Sequence, residues 1–218
     1  MPSWLEFFAA LVTFMASHVI PTRPKLRNSL RNLLGEKGFT VCYSLLSTLL
    51  LGWVIVAAGR APLVNLWPWA PWQNTVTLLA MALACTLAAL AIGRPNPLSF
   101  GGANNASFDP RNAGIIGWVR HPLLVALLLW SLGHLLPNGN LAHLILFGIF
   151  ASFSALGKRI IDKRNQRLLG IDTWQRLANT KREITVTKSG LVRVFIGAAV
   201  YLLLIHYHSA IIGVTPLP

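Results

Sequence analysis

Charge is scarce in this 218-residue sequence. Asp, Glu, Lys and Arg make up only 11% of it, and acidic residues number six. Soluble domains carry about 25% charged residues. A chain with less than half that share cannot cover a globule with polar surface, which argues against an ordinary soluble enzyme and against a disordered chain. Cysteine is almost absent, with Cys42 and Cys85 alone. Both fall inside apolar runs, and neither belongs to a C-x-x-C or C-x-x-C-H pattern. A disulfide or a covalent c-type haem is therefore not expected, and both read as small buried apolar residues. Lys and Arg are missing before Arg23. The first apolar run thus lacks the basic flank of a signal peptide and reads as a spanning helix with its N-terminus outside. No internal repeat, low-complexity tract or soluble domain is found.

What is present is apolar sequence, with 54% hydrophobic residues and a mean hydropathy of +0.57. Six stretches stand out: Trp4–Ile20, Phe39–Ala58, Thr75–Ile92, His121–Leu136, Leu141–Leu156 and Leu191–Ile212. A helix crossing the hydrocarbon core needs about 17–25 apolar residues. The fourth and fifth stretches are short by that measure, and extending the fourth upstream through Gly114–Val119 would bury Arg120. The expected fold is all-α: a polytopic membrane bundle of about six helices forming one integral membrane domain over 1–218. In the polar segment Gly157–Gly190, Lys158–Leu169 reads as helix and Thr180–Ser189 as irregular.

The net charge of +13 sets the orientation. All basic residues but Arg60 fall in the first, third and fifth connections, Arg193 at the edge of the fifth, and the positive-inside rule assigns these to the cytoplasm; both termini are then outside. Loops lying on anionic lipid account for this charge, and a nucleic-acid partner is not expected. Between the second and third stretches, Leu66–Trp72 carries three tryptophans, suited to an outer headgroup layer.

The chemistry-bearing residues are mostly histidines, and ionisable groups in a membrane are functional candidates by default. His18 lies near the inner end of the first helix, and His121 opens the fourth from the same side within Arg120-His121-Pro122. His134 ends the fourth helix on the outer side, and His143 begins the fifth after a Pro-Asn-Gly-Asn turn, so these two are expected to approach each other. His206 and His208 occupy the outer half of the last helix, on different faces. His121 and His134 are separated by about 20 Å along a helix and cannot share one metal. A haem b needs one or two axial side chains, and neutral imidazole suits iron; zinc, which favours four ligands, fits less well. The depth argument expects His18 and His121 to line one cytoplasmic-side pocket, with Arg120, Arg23 or Lys25 pairing with haem propionates and Pro122 fixing the exit of His121. His134 is the rival ligand.

Several segments together carry a resemblance: Leu33–Ser44, Leu66–Trp72, Arg120-His121-Pro122-Leu123-Leu124, and Leu129-Trp130-Ser131-Leu132-Gly133-His134 through Gly139. They resemble the NnrU family of bacterial membrane proteins over about residues 3–185, with an additional C-terminal helix over about 191–212. NnrU proteins are associated with nitrite and nitric oxide reductase expression in denitrifiers, and are similar to plant 15-cis-zeta-carotene isomerase, a haem b enzyme. The resemblance implies a bacterial inner-membrane protein that ligates haem b through His18, His121 and His134, and it admits a polyene or other apolar substrate. Where the isomerase has a cysteine before the second histidine of that helix, this chain has Ser131 and Leu132.

A second resemblance overlaps the first. Gly117–Leu124 is similar to the Arg-His-Pro segment of isoprenylcysteine and phospholipid methyltransferases, and Ile161–Trp174 to their later cytoplasmic helix, although of its acidic pair only Asp162 remains. Three expectations follow: a haem protein serving denitrification or polyene isomerisation, an S-adenosylmethionine-dependent methyltransferase, or a non-catalytic assembly partner of a respiratory enzyme.

Overall fold

A computed structural model describes residues 4–21, 23–183 and 185–218. Its helices are α1 (Trp4–Val19), α2 (Pro24–Arg60), α3 (Pro71–Ala91), the single turn α4 (Ile115–Trp118), α5 (Pro122–Leu135), α6 (Leu141–Leu169), α7 (Ile171–Ala178) and α8 (Lys188–Ile212). Four of these, α2, α3, α6 and α8, are long and apolar enough to cross a membrane; α1 and α5 are shorter apolar helices. The polytopic helical bundle expected from hydropathy is therefore present. Leu49, Leu79, Phe195 and Ile211 leave their side chains more than half exposed. Such surfaces are stable only where hydrocarbon covers them, and helices satisfy their own backbone groups there.

The chain divides into two compact units. The first comprises the segment through Trp67 together with Gly139–Leu146. In it α1 presents Phe7, Ala10, Leu11 and Phe14, and α2 presents Val54, Ala57 and Ala58. The spacing i, i+3, i+4, i+7 places the four α1 residues on one stripe. Leu66 and Trp67 donate backbone N–H bonds to the Gly139 carbonyl, and Leu141 to that of Val64.

The basic stretch after α1 is helix rather than loop. Pro24 stands in its first turn, where a missing N–H is no loss. The helix breaks once, at Gly35, whose φ of 71° and ψ of 168° lie outside helical space and suit glycine. The helix thus begins well before the apolar stretch that starts at Phe39, with Arg27, Arg31 and Lys37 on a helical surface.

The second unit holds Pro68–Asn138 and Phe147–Pro218. Here α3 lies against both α5 and α8. Its N-terminus is fixed by Pro71 in the first turn and by Gln73 Oε1, which accepts the Ala70 N–H at 2.9 Å. Thr77 Oγ1 donates to the Gly133 carbonyl of α5 at 2.7 Å. At Gly197 of α8, a Cβ would stand 3.0 Å from Thr86 Cα and 3.1 Å from the Cys85 carbonyl oxygen. The two helices approach there as small residues allow in membranes. Upstream extension of α5 does not occur: α4 ends at Trp118, and Val119–His121 is non-helical. α6 runs without interruption through the expected Lys158–Leu169 helix, and α8 begins at Lys188, inside the segment expected to be irregular. Cys85 is partly buried, but Cys42 is exposed rather than a buried apolar residue.

Candidate functional site

The second unit carries polar chemistry at both ends of α5. At its start, His121 is the N-cap and Pro122 the first helical residue. Only 4% of His121 is exposed. Its Nε2–H donates to Asp162 Oδ1 of α6 at 3.2 Å, and its Nδ1 accepts from the Ser99 hydroxyl at 3.1 Å. Arg120 donates to the other Asp162 oxygen at 2.9 Å and lays its guanidinium over the Trp174 ring at 4.9 Å. Asp162 is the lone acid in the basic run Lys158–Arg167, so its carboxylate serves two partners at once.

The loop before α4 closes the cluster. Asn96 is 2% exposed. It donates through Nδ2 to the Arg120 carbonyl at 3.0 Å, and its own N–H is taken by Asn105 Oδ1 at 2.8 Å. Asn165, one turn beyond Asp162, donates to the Leu98 carbonyl at 2.8 Å. Burial holds the His121 ring below its ordinary pKa; Asp162 pulls it back up, while Arg120 and Lys158 push it down. The ring is therefore neutral at pH 7, with its proton on Nε2 and its lone pair already committed to Ser99. As arranged it is a pinned hinge-point between α5, α6 and the loop. An iron ligand here would have to displace Ser99 or Asp162.

At the other end of α5, the His134 Nδ1–H donates to the Trp130 carbonyl at 2.9 Å. In that tautomer the lone pair is on Nε2. A backbone carbonyl on the far ring nitrogen is the usual support of a metal-binding histidine, fixing tautomer and orientation. Aromatic rings hold it in place, Trp130 at 5.4 Å and Phe147 at 5.5 Å between centroids. His208 of α8 has the same arrangement, Nδ1 to the Val214 carbonyl at 2.7 Å, and lies within electrostatic range of His134.

His18 belongs to the first unit, where its Nδ1 bonds the Phe14 carbonyl at 2.8 Å and its Nε2 accepts from Ser47 at 3.0 Å. Its ring meets Phe14 at 4.3 Å and Tyr43 at 5.9 Å. His18 and His121 thus stand in separate units, each with both ring nitrogens engaged. Arg120, expected to pair with propionates, is paired with Asp162. His143 likewise belongs to the first unit, where Asn140 Oδ1 accepts both its backbone N–H and its Nδ1–H. Among the described residues, no group of three or more His, Cys, Asp or Glu could hold a metal. A haem, which needs one or two axial side chains, is compatible with that. His134 and His208 share one arrangement, each with a backbone carbonyl on Nδ1.

Ser99 and Asn96 were not legible as site residues, and Asn165 and Trp174 entered only within the segment Ile161–Trp174 of the methyltransferase resemblance. One signal was available: a single acid in a ten-residue basic helical run, with an amide three positions on, marks a face with a polar partner.

A family model described as NnrU protein matches residues 6–216, and the chain belongs to that family. The match continues past residue 185 and includes α8. No curated protein and no solved structure matches the chain.

Proposed function

We propose, for a chain that belongs to the NnrU family over nearly its whole length, that it is a haem-b-binding protein of the bacterial inner membrane, with His134 as axial ligand. The observation that carries this reading is the His134 ring itself, fixed by the Trp130 carbonyl and walled by aromatic side chains. His208, with its own carbonyl support, is the second ligand. Bound haem supplies one-electron redox chemistry, which suits the family's association with nitrite and nitric oxide reduction and the isomerase similarity alike. The protein's part is to hold Nε2 toward the iron and to keep water from it with Trp130, Phe147 and Phe150. Purified protein should show a Soret band and bind haem b at a stoichiometry of about one per chain; protein purified from haem-sufficient cells without such a band, and unable to acquire it from added haemin, overturns the reading. A spectral change on adding a 15-cis polyene to the reduced protein would favour isomerase over accessory factor.

A second reading has its own observation. Arg120, His121, Asp162 and Trp174, the residues carrying the methyltransferase resemblance, converge in one cluster. On this reading the cluster is the edge of an S-adenosylmethionine site. Calorimetry with S-adenosylmethionine tests it, and an absence of binding heat at millimolar ligand removes it.

A further inference from the structure

A groove of about 780 Å³ opens along the second unit. Ala84, Ala88 and Ala89 of α3 and Gly197 of α8 line it with small side chains, and Leu127 and Trp130 of α5 line it with large ones. From Arg193 to Val200 on α8, its lining residues span about 10 Å of helix. Nearly all of that lining is hydrocarbon. The exceptions gather at one end, where Ser189 and Arg193 stand at the start of α8.

Charge at that end is one-sided. Arg193 donates through one nitrogen to the Ala89 and Ile92 carbonyls, capping α3, at 3.0 and 2.6 Å. The Arg94 guanidinium lies beside Gly114 and Gly190, 3.2 and 3.9 Å from where a Cβ would stand on each. Lys188 opens α8, whose first turn contains no acid. Among the described residues, neither Arg94 nor Arg193 forms an ion pair with a carboxylate. The helix N-terminus is itself positive, so cations there are in the less favourable place. Burial and the charge of Arg193 both hold Arg94 below its ordinary pKa, as expected of two cations with no anion between them.

We infer that this groove is a binding site for one anionic phospholipid. An acyl chain lies over the α3 alanines and Gly197, and the phosphate meets Arg94, Arg193 and the first turn of α8. An apolar groove ending in cations without a carboxylate partner favours a lipid of net negative charge over a zwitterionic one, whose own cation would add to the positive charge there. The basic connections that place this end at the cytoplasmic leaflet put it where anionic lipid is concentrated. The inference uses neither His134 nor His208, although Trp130 lines the groove and also holds the His134 ring.

The test is native mass spectrometry of detergent-purified protein titrated with phosphatidylglycerol and, separately, phosphatidylcholine. One phosphatidylglycerol should be retained per chain in clear preference to phosphatidylcholine. Arg94→Gln should lower that preference about fivefold, the effect of one basic residue near the surface. Arg111→Gln, which removes an exposed charge elsewhere in the same loop, should leave it unchanged. Ala88→Phe, which fills the groove floor and keeps every charge, should abolish retention. Equal retention of both lipids overturns the proposal. So does an equal loss for Arg94→Gln and Arg111→Gln, which is diffuse attraction to a basic face, or full retention in Ala88→Phe.

Discussion

The two ends of α5 carry one histidine each, and they are built to opposite specifications. His121 is fully sealed, with Ser99 on one ring nitrogen and Asp162 on the other. His134 is held through one nitrogen by its own helix and packed between aromatic rings. The difference lies in what each ring nitrogen already does. A histidine between a hydroxyl and a carboxylate ties elements together, whereas one with a carbonyl behind it presents a lone pair.

The strongest way to break that contrast on the structural side is Asp162→Ala. It leaves Arg120 and His121 without their shared acceptor in a cluster where Asp162 is 21% exposed. Removing one partner of a buried pair costs about 3–5 kcal/mol; partial exposure puts this case at the lower end, about 3 kcal/mol. Thermal unfolding in detergent should show a clear loss of stability, with Asp162→Asn recovering part of it. An unchanged midpoint would mean the cluster is ornamental.

Next in size is Gly197→Leu, which pushes a side chain into Thr86 and Cys85 across the α3–α8 approach. Overpacking of this kind costs about 1–3 kcal/mol, and the same unfolding assay measures it. Gly35→Ala should cost about 1–3 kcal/mol, because a Cβ meets no neighbour there but the backbone has φ of +71° and ψ of 168°. Stability unaffected by Gly35→Ala would show that α2 straightens.

The smallest effect is a dependence on pH. The folded His121 titrates below its unfolded value of 6.5, with Asp162, Arg120, Lys158 and Ser99 as the groups facing it. The unfolded chain therefore binds the proton first as pH falls, and stability conferred by the neutral ring is complete above pH 6.5 and declines below it. Comparing unfolding midpoints at pH 7.5 and 5.5 should show a decrease that His121→Gln diminishes; an identical decrease in that variant assigns the dependence elsewhere.

The spans were legible because lipid asks for long apolar runs, and α3, α6 and α8 begin or end within a few residues of where hydropathy stops or caps occur. Residues 24–38 were not, since Arg27, Arg31 and Lys37 read as loop charge and nothing local shows that Pro24 starts a helix which Gly35 bends. The histidines were legible as candidates by residue type alone. Their ranking was not, because it depends on Ser99 and Asp162, 22 and 41 residues from His121 in sequence. Depth arithmetic paired His18 with His121, but each already has partners on both ring nitrogens.

The proposed iron ligand is His134 rather than His121. Single alanine variants at His134, His121 and His18, purified alongside the parent chain and measured for haem per protein by pyridine haemochrome absorbance, test it directly. The account predicts loss of nearly all haem in His134→Ala, with His121→Ala and His18→Ala retaining it at the parent level among the folded fraction. Haem retained in His134→Ala and lost in folded His121→Ala would contradict it.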